Sequence, residues 1–270
     1  MDRITRSFQL VGQSYQILMR DKELMILPVI SGAVMAVIVG VIALGFSVGG
    51  GEAVAVRGPA VYVPLFLMYV VLYAVGIFFQ AAVVAGATER MRGGDPTVGS
   101  ALAAAQRRLW SIVMWAVVAA TVGMLLRAIQ DRVGFIGKIV VGLAGAAWSL
   151  ATFFIVPVLV LEDKSIGDSF TQSVSVFKKT WGETVTGGAS LGIAAFCAWL
   201  ALFALVGLIA MIAGPLAIIV LLAGAIVLGI FFSALQGVYV ASLYRYATEG
   251  SAPPGFDRTL LDSAFVPKRS

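Results

Sequence analysis

Residues 184–244 read TVTGGASLGIAAFCAWLALFALVGLIAMIAGPLAIIVLLAGAIVLGIFFSALQGVYVASLY, 61 consecutive positions without Asp, Glu, Lys or Arg. At about 1.5 Å rise per residue, one helix of that length would run about 90 Å. A bilayer's hydrocarbon core is about 30 Å thick, so the stretch crosses it twice and turns between crossings. The turn falls at Gly214-Pro215, because proline cannot continue the helix preceding it.

Similar uncharged runs fill the rest of the chain. Spans are expected at about 24–48, 61–87, 110–126, 139–161, 185–213 and 216–243, within a transmembrane domain over 24–246. Helices are required, since an isolated span satisfies its own backbone hydrogen bonds. The composition agrees: 60% of the 270 residues are hydrophobic and 12% charged, with mean hydropathy +0.98. A soluble domain carries about 25% charge. The first run follows 23 residues and exceeds a signal-peptide core, so a retained span is expected there despite the small residues Ala53-Val54-Ala55.

With the N-terminus inside, 15 of the 19 Lys and Arg fall in inner segments, and only Arg57, Arg127, Arg132 and Lys138 fall outside. That bias places both termini in the cytoplasm of a cell-membrane protein. The net charge of +5 then points to anionic lipid headgroups rather than nucleic acid.

Three inner segments share a pattern of apolar residues at steps of three and four. They are Ile4, Phe8, Val11, Tyr15 and Leu18, within an N-terminal helix over 1–23; Val98, Leu102, Ala105 and Leu109; and Ile166, Phe170, Val174, Phe177 and Trp181. Each set makes one helical face. Helix starts are expected at Asp2, at Asp95 with Pro96, and at Ser165 with Asp168. A basic pair closes each segment: Arg20 with Lys22, Arg107-Arg108 and Lys178-Lys179. The expected fold is an all-α integral membrane protein of six transmembrane helices in three hairpins, each preceded by an amphipathic interfacial helix on the cytoplasmic face. The three units are either a true repeat or hairpins joined by similar connectors. A cytoplasmic tail over 247–270 carries the apolar stripe Leu260, Leu261 and Phe265.

Chemistry-bearing patterns are few. The chain has no histidine and one cysteine, Cys197, so the commonest general base and any intrachain disulfide are absent. Gly188-Ala189-Ser190-Leu191-Gly192 matches G-x-S-x-G, but without a strand-to-helix turn or a histidine. Its Gly188/Gly192 spacing is expected to serve close helix packing, as are Gly142 with Ala146 and Ala225 with Gly229. Glu162, Asp163 and Asp168 lack calcium-loop spacing and are better placed as caps. Pro157 is a candidate kink in span four.

No cofactor, metal or catalytic residue is expected, and no enzyme. Arg107, Arg108, Lys178 and Lys179 are candidate headgroup contacts, so membrane lipid or a partner protein is the expected ligand of this basic layer. The alternative is a transporter or pore for a small neutral or amphiphilic solute, with Gln80 and Gln236 lining the path. Their other role would be an interhelical hydrogen bond.

The chain resembles an uncharacterised family of bacterial and archaeal membrane proteins with about six spans. One segment carrying the resemblance is residues 154–163, FIVPVLVLED, leading through Ser169 and Ser173 to Lys178-Lys179-Thr180-Trp181-Gly182-Glu183. The other is Tyr244-Arg245-Tyr246-Ala247-Thr248, followed by Gly255-Phe256-Asp257, Leu260-Leu261, Ala264-Phe265 and Lys268. The resemblance implies no activity and assigns no functional residue.

Overall fold

A computed structural model describes residues 3–48 and 62–249; the side chains of residues 3–10, 46–48, 62, 183, 186 and 187 are outside it. Among the described residues there are nine α-helices and no strand. The expected helix start at Asp2, the apolar residues Ile4 and Phe8, the outer Arg57 and the tail stripe lie outside that description.

α1 (Arg3–Arg20) ends where Asp21 leaves helical torsions, and the 3-10 turn Lys22–Met25 leads into α2 (Ile26–Val48). α3 (Tyr62–Met91) is closed by Gly93 at φ +86°, a left-handed torsion that favours glycine. Gly93 N–H donates to Arg90 C=O at 2.9 Å and Gly94 N–H to Glu89 C=O at 3.0 Å, a Schellman cap.

α4 (Val98–Arg107) starts two residues later than Asp95-Pro96 implied. Thr97 is its N-cap, in a reciprocal capping box with Ser100 at 3.0 and 3.1 Å. Arg108 leaves helical torsions and separates α4 from α5 (Leu109–Gln130). Span four is two helices, α6 (Phe135–Ala151) and α7 (Ile155–Leu161).

The third amphipathic segment does not stop before span five. α8 (Ile166–Ala210) is a single helix of 45 residues, capped by Ser165 through Asp168 N–H at 3.2 Å. Nothing between Trp181 and Val185 terminates a helix, so charge alone does not break the chain. α9 (Gly214–Glu249) begins at the Gly-Pro turn.

Six segments are long and apolar enough to cross a membrane: Lys22–Gly45, Val63–Met91, Leu109–Gln130, Phe135–Leu161, Gly188–Ala210 and Gly214–Glu249. α3 is the hub, packing on α9, α4, α5, α7 and α2; α8 packs on α9; and α1 lies against α8 and α9.

Burial is concentrated at one end. On α3 the residues from Ala81 to Thr88 are buried, whereas Val63, Leu65 and Leu67 are exposed. On α9 Val238 to Tyr244 are buried and Leu216, Ile219 and Ile226 exposed. The buried end also carries Asp21, Arg90, Arg108, Glu162 and Arg245, and is called the charged end below.

The glycines that seat the helices are not the expected ones. A Cβ on Gly237 would lie 2.5 Å from Val83 Cγ1, and one on Gly86 would lie 2.6 Å from Leu24 Cδ2. A Cβ on Gly224 would strike Leu202. By contrast Gly142, Gly188, Gly192 and Gly229 have nothing within 4 Å of an added Cβ. The G-x-x-x-G pair therefore faces open space, correcting its expected packing role.

Candidate functional site

Ion pairs tie the helix ends together. Arg90 grips Asp21 with two guanidinium nitrogens and reaches Asp95 at 2.7 Å. Asp21 is 6% exposed, so this contact pins the end of α1 to the end of α3 away from water. Arg92 meets Glu249 at 3.1 Å, and Glu249 also accepts from Arg245 Nε at 2.8 Å, joining α3 to α9. Ser100 Oγ donates to Glu89 at 3.0 Å and holds α4 against α3.

Span four breaks at this end, and one side chain repairs the break. The Phe154 N–H and Ala151 C=O have no helical partner there. Ser173 Oγ on α8 accepts from the first at 3.2 Å and donates to the second at 2.7 Å. Away from water two orphaned backbone groups would each be costly, so one hydroxyl stabilises the interruption. The break lies three to five residues before Pro157, consistent with a proline's reach back along the helix. Tyr244 Oη of α9 donates to Glu162 just beyond α7, which Lys164 Nζ also meets at 2.5 Å.

Ser173 belongs to a stripe on α8. Ser169, Ser173, Thr180 and Thr184 are all buried at helical spacing. Thr180 donates to Val176 C=O at 2.9 Å and meets Thr184 Oγ1 at 3.0 Å; Ser169 Oγ is buried without a partner. The apolar set read as one helical face sits beside this stripe: Phe170, Val174 and Phe177 are half-buried and Trp181 is 59% exposed. Small hydroxyl side chains that return their hydrogen bonds to their own helix allow closer approach than large apolar ones. The sequence signal for this face was the recurrence of Ser and Thr itself.

The basic candidates separate. Arg108 pairs with Asp163, while Arg107, Lys178 and Lys179 are exposed with no ion pair to a described residue. Arg107 Nε makes only a 3.4 Å contact to Ala103 C=O. Glu162, Asp163 and Asp168 are each engaged by Tyr244 and Lys164, by Arg108, and by Ser165. Among the described residues no group of three His, Cys, Asp or Glu is placed to hold a metal ion.

Gln80 and Gln236 line different clefts. Gln80 lines a cleft of about 700 Å³ between α2, α3 and α9, with Ser31 and Ser233. Gln236 lines a second cleft of about 320 Å³ with Phe153, Gly188, Gly192 and Tyr239, between the span-four break, α8 and α9.

These features describe a multi-pass membrane protein whose tightly tied end carries most of its charge. Residues 59–255 match the model of DUF6159, a family of unknown function, and the chain belongs to that family. No curated protein and no solved structure matches it.

Proposed function

We propose that this is a non-enzymatic cell-membrane protein whose charged end faces the cytoplasm and engages anionic lipid or a protein partner through Lys178, Lys179 and Arg107. One observation carries this: these three cations, like Arg20 and Lys22 at the end of α1, are exposed with no ion pair among the described residues, whereas Arg90, Arg92, Arg108 and Arg245 at the same end are engaged by internal carboxylates. A cation near an anionic leaflet contributes about 1 kcal/mol of attraction. Both termini lie in the cytoplasm on this proposal. α2 with α3, α5 with α6, and α8 with α9 form three hairpins, and α1, α4 and the start of α8 form the interfacial layer. The packing of each of those helix pairs supports the hairpins.

The test is flotation of purified protein with vesicles containing phosphatidylglycerol. Replacing Arg107, Lys178 and Lys179 by Ala is expected to weaken association roughly tenfold or more in low salt. Replacing Arg108 leaves the three free cations in place and is expected to matter less. Unchanged lipid retention in the triple variant would remove the proposal's support.

A solute path is the alternative function. Gln80 and Gln236 line different clefts, so a path through both would have to join two separate openings.

A further inference from the structure

The larger cleft has its own chemistry. It is lined by α2 from Pro28 to Ala36, by Gly76 and Gln80 on α3, and by α9 from Ala225 to Ser233. All these residues fall within segments long and apolar enough to cross a membrane, so the cleft lies at bilayer depth. Gly32 and Gly229 face it with nothing within 4 Å of an added Cβ, so the missing side chains are what keep it open. Its volume of about 700 Å³ falls in the usual range of small-molecule sites, about 300–1,000 Å³.

Two properties of the lining restrict the occupant. No lining residue is charged, so a phosphate, carboxylate or ammonium inside would lack a counterion in a low dielectric. Yet Ser31, Gln80 and Ser233 bring two hydroxyls and a carboxamide to the cleft, and none of them makes a side-chain hydrogen bond among the described residues. A bare hydrocarbon chain would leave all three unsatisfied where water does not reach. The fit is an uncharged head bearing hydroxyl and carbonyl groups on an apolar tail.

We infer that this cleft binds a neutral glycerolipid of the diacylglycerol class, its hydroxyl and ester groups exchanging hydrogen bonds with Ser31, Gln80 and Ser233. The site is independent of the exposed cations proposed to meet anionic headgroups.

Native mass spectrometry of delipidated full-length protein in detergent tests it, with dioleoylglycerol and dioleoylphosphatidylglycerol as probes. One dioleoylglycerol per chain is expected to bind saturably. Gln80→Leu with Ser233→Ala keeps the cleft's shape, removes two polar partners, and is expected to weaken binding about tenfold. Gly229→Leu fills the cleft and is expected to abolish binding; should that variant not fold, the Gln80/Ser233 double variant decides alone. Replacing Arg107, Lys178 and Lys179 is expected to leave dioleoylglycerol binding unchanged while lowering phosphatidylglycerol binding. Equal dioleoylglycerol binding by wild type and the double variant would overturn the assignment. Preferential filling of the cleft by phosphatidylglycerol, read as loss of that lipid in Gly229→Leu, would overturn it too.

Discussion

The two halves of this bundle are built from similar apolar residues and packed in opposite ways. At the charged end Leu18, Leu24, Val84, Ala101, Ile112, Phe154 and Val238 are sealed from their surroundings. In the other half Val37, Leu44, Leu65, Phe135, Phe196, Leu208 and Ile226 face outward. Hydropathy is therefore no guide to which half is tied. Lipid tails are as apolar as leucine, so nothing drives the outer residues together. What distinguishes the tied half is hydroxyls on a buried stripe and ion pairs across helix ends, added to the glycine crossings at Gly86 and Gly237.

The largest contrast should appear at glycines. Gly237→Leu places a branched side chain against Val83 and is expected to cost more than about 3 kcal/mol, enough to lose monodisperse protein on gel filtration. Gly142→Ala faces open space and is expected to be neutral or slightly stabilising, by under about 1 kcal/mol. Equal behaviour of the two would erase the distinction between the halves.

Breaking the Asp21–Arg90 contact comes next. Asp21→Asn leaves a largely covered guanidinium with Asp95 alone, and is expected to cost about 2–4 kcal/mol in thermal unfolding in detergent. Asp163→Asn removes the carboxylate that meets Arg108; its own side chain is 88% exposed, and under about 1 kcal/mol is expected.

Ser173→Ala orphans two backbone groups at the span-four break. The expected loss is about 1–3 kcal/mol, with faster amide exchange at Phe154. Unaltered exchange would mean that the break needs no clip. Smallest of all, Leu125→Ala or Val227→Ala on outward faces is expected to change stability by no more than about 0.5 kcal/mol.

The crossings were legible because charge is excluded from hydrocarbon, so the uncharged runs bound them to within a few residues. The Ser165 cap was legible too, since Ser followed by Asp at the third position has one local use. Joints between elements were not. Charged residues from Lys178 to Glu183 mark a change of environment, but α8 passes through them because no proline or left-handed glycine stops it. Glycine spacing reports which residues share a face, not what that face meets. Gly188 and Gly192 thus read as a contact and prove to border a cleft, while Gly86 and Gly237, each four residues from a buried alanine (Ala82, Ala241) rather than from a second glycine, seat helices. Among candidate residues, the exposure of Lys178 and Lys179 followed from sequence. The capture of Arg108 by Asp163 and the parting of Gln80 from Gln236 depend on which helices become neighbours.

α8 runs about 67 Å at helical rise, more than twice the hydrocarbon thickness, without a joint. α1 and α4 are each uncoupled from the crossing that follows them, by the turn at Lys22–Met25 and by Arg108. In α8 Lys178 and Lys179 stand on the same unbroken helix as Gly188 and Gly192 at the border of the smaller cleft. The first two amphipathic helices are thus separated by a joint from the apolar segment that follows each of them; the third is continuous with its own.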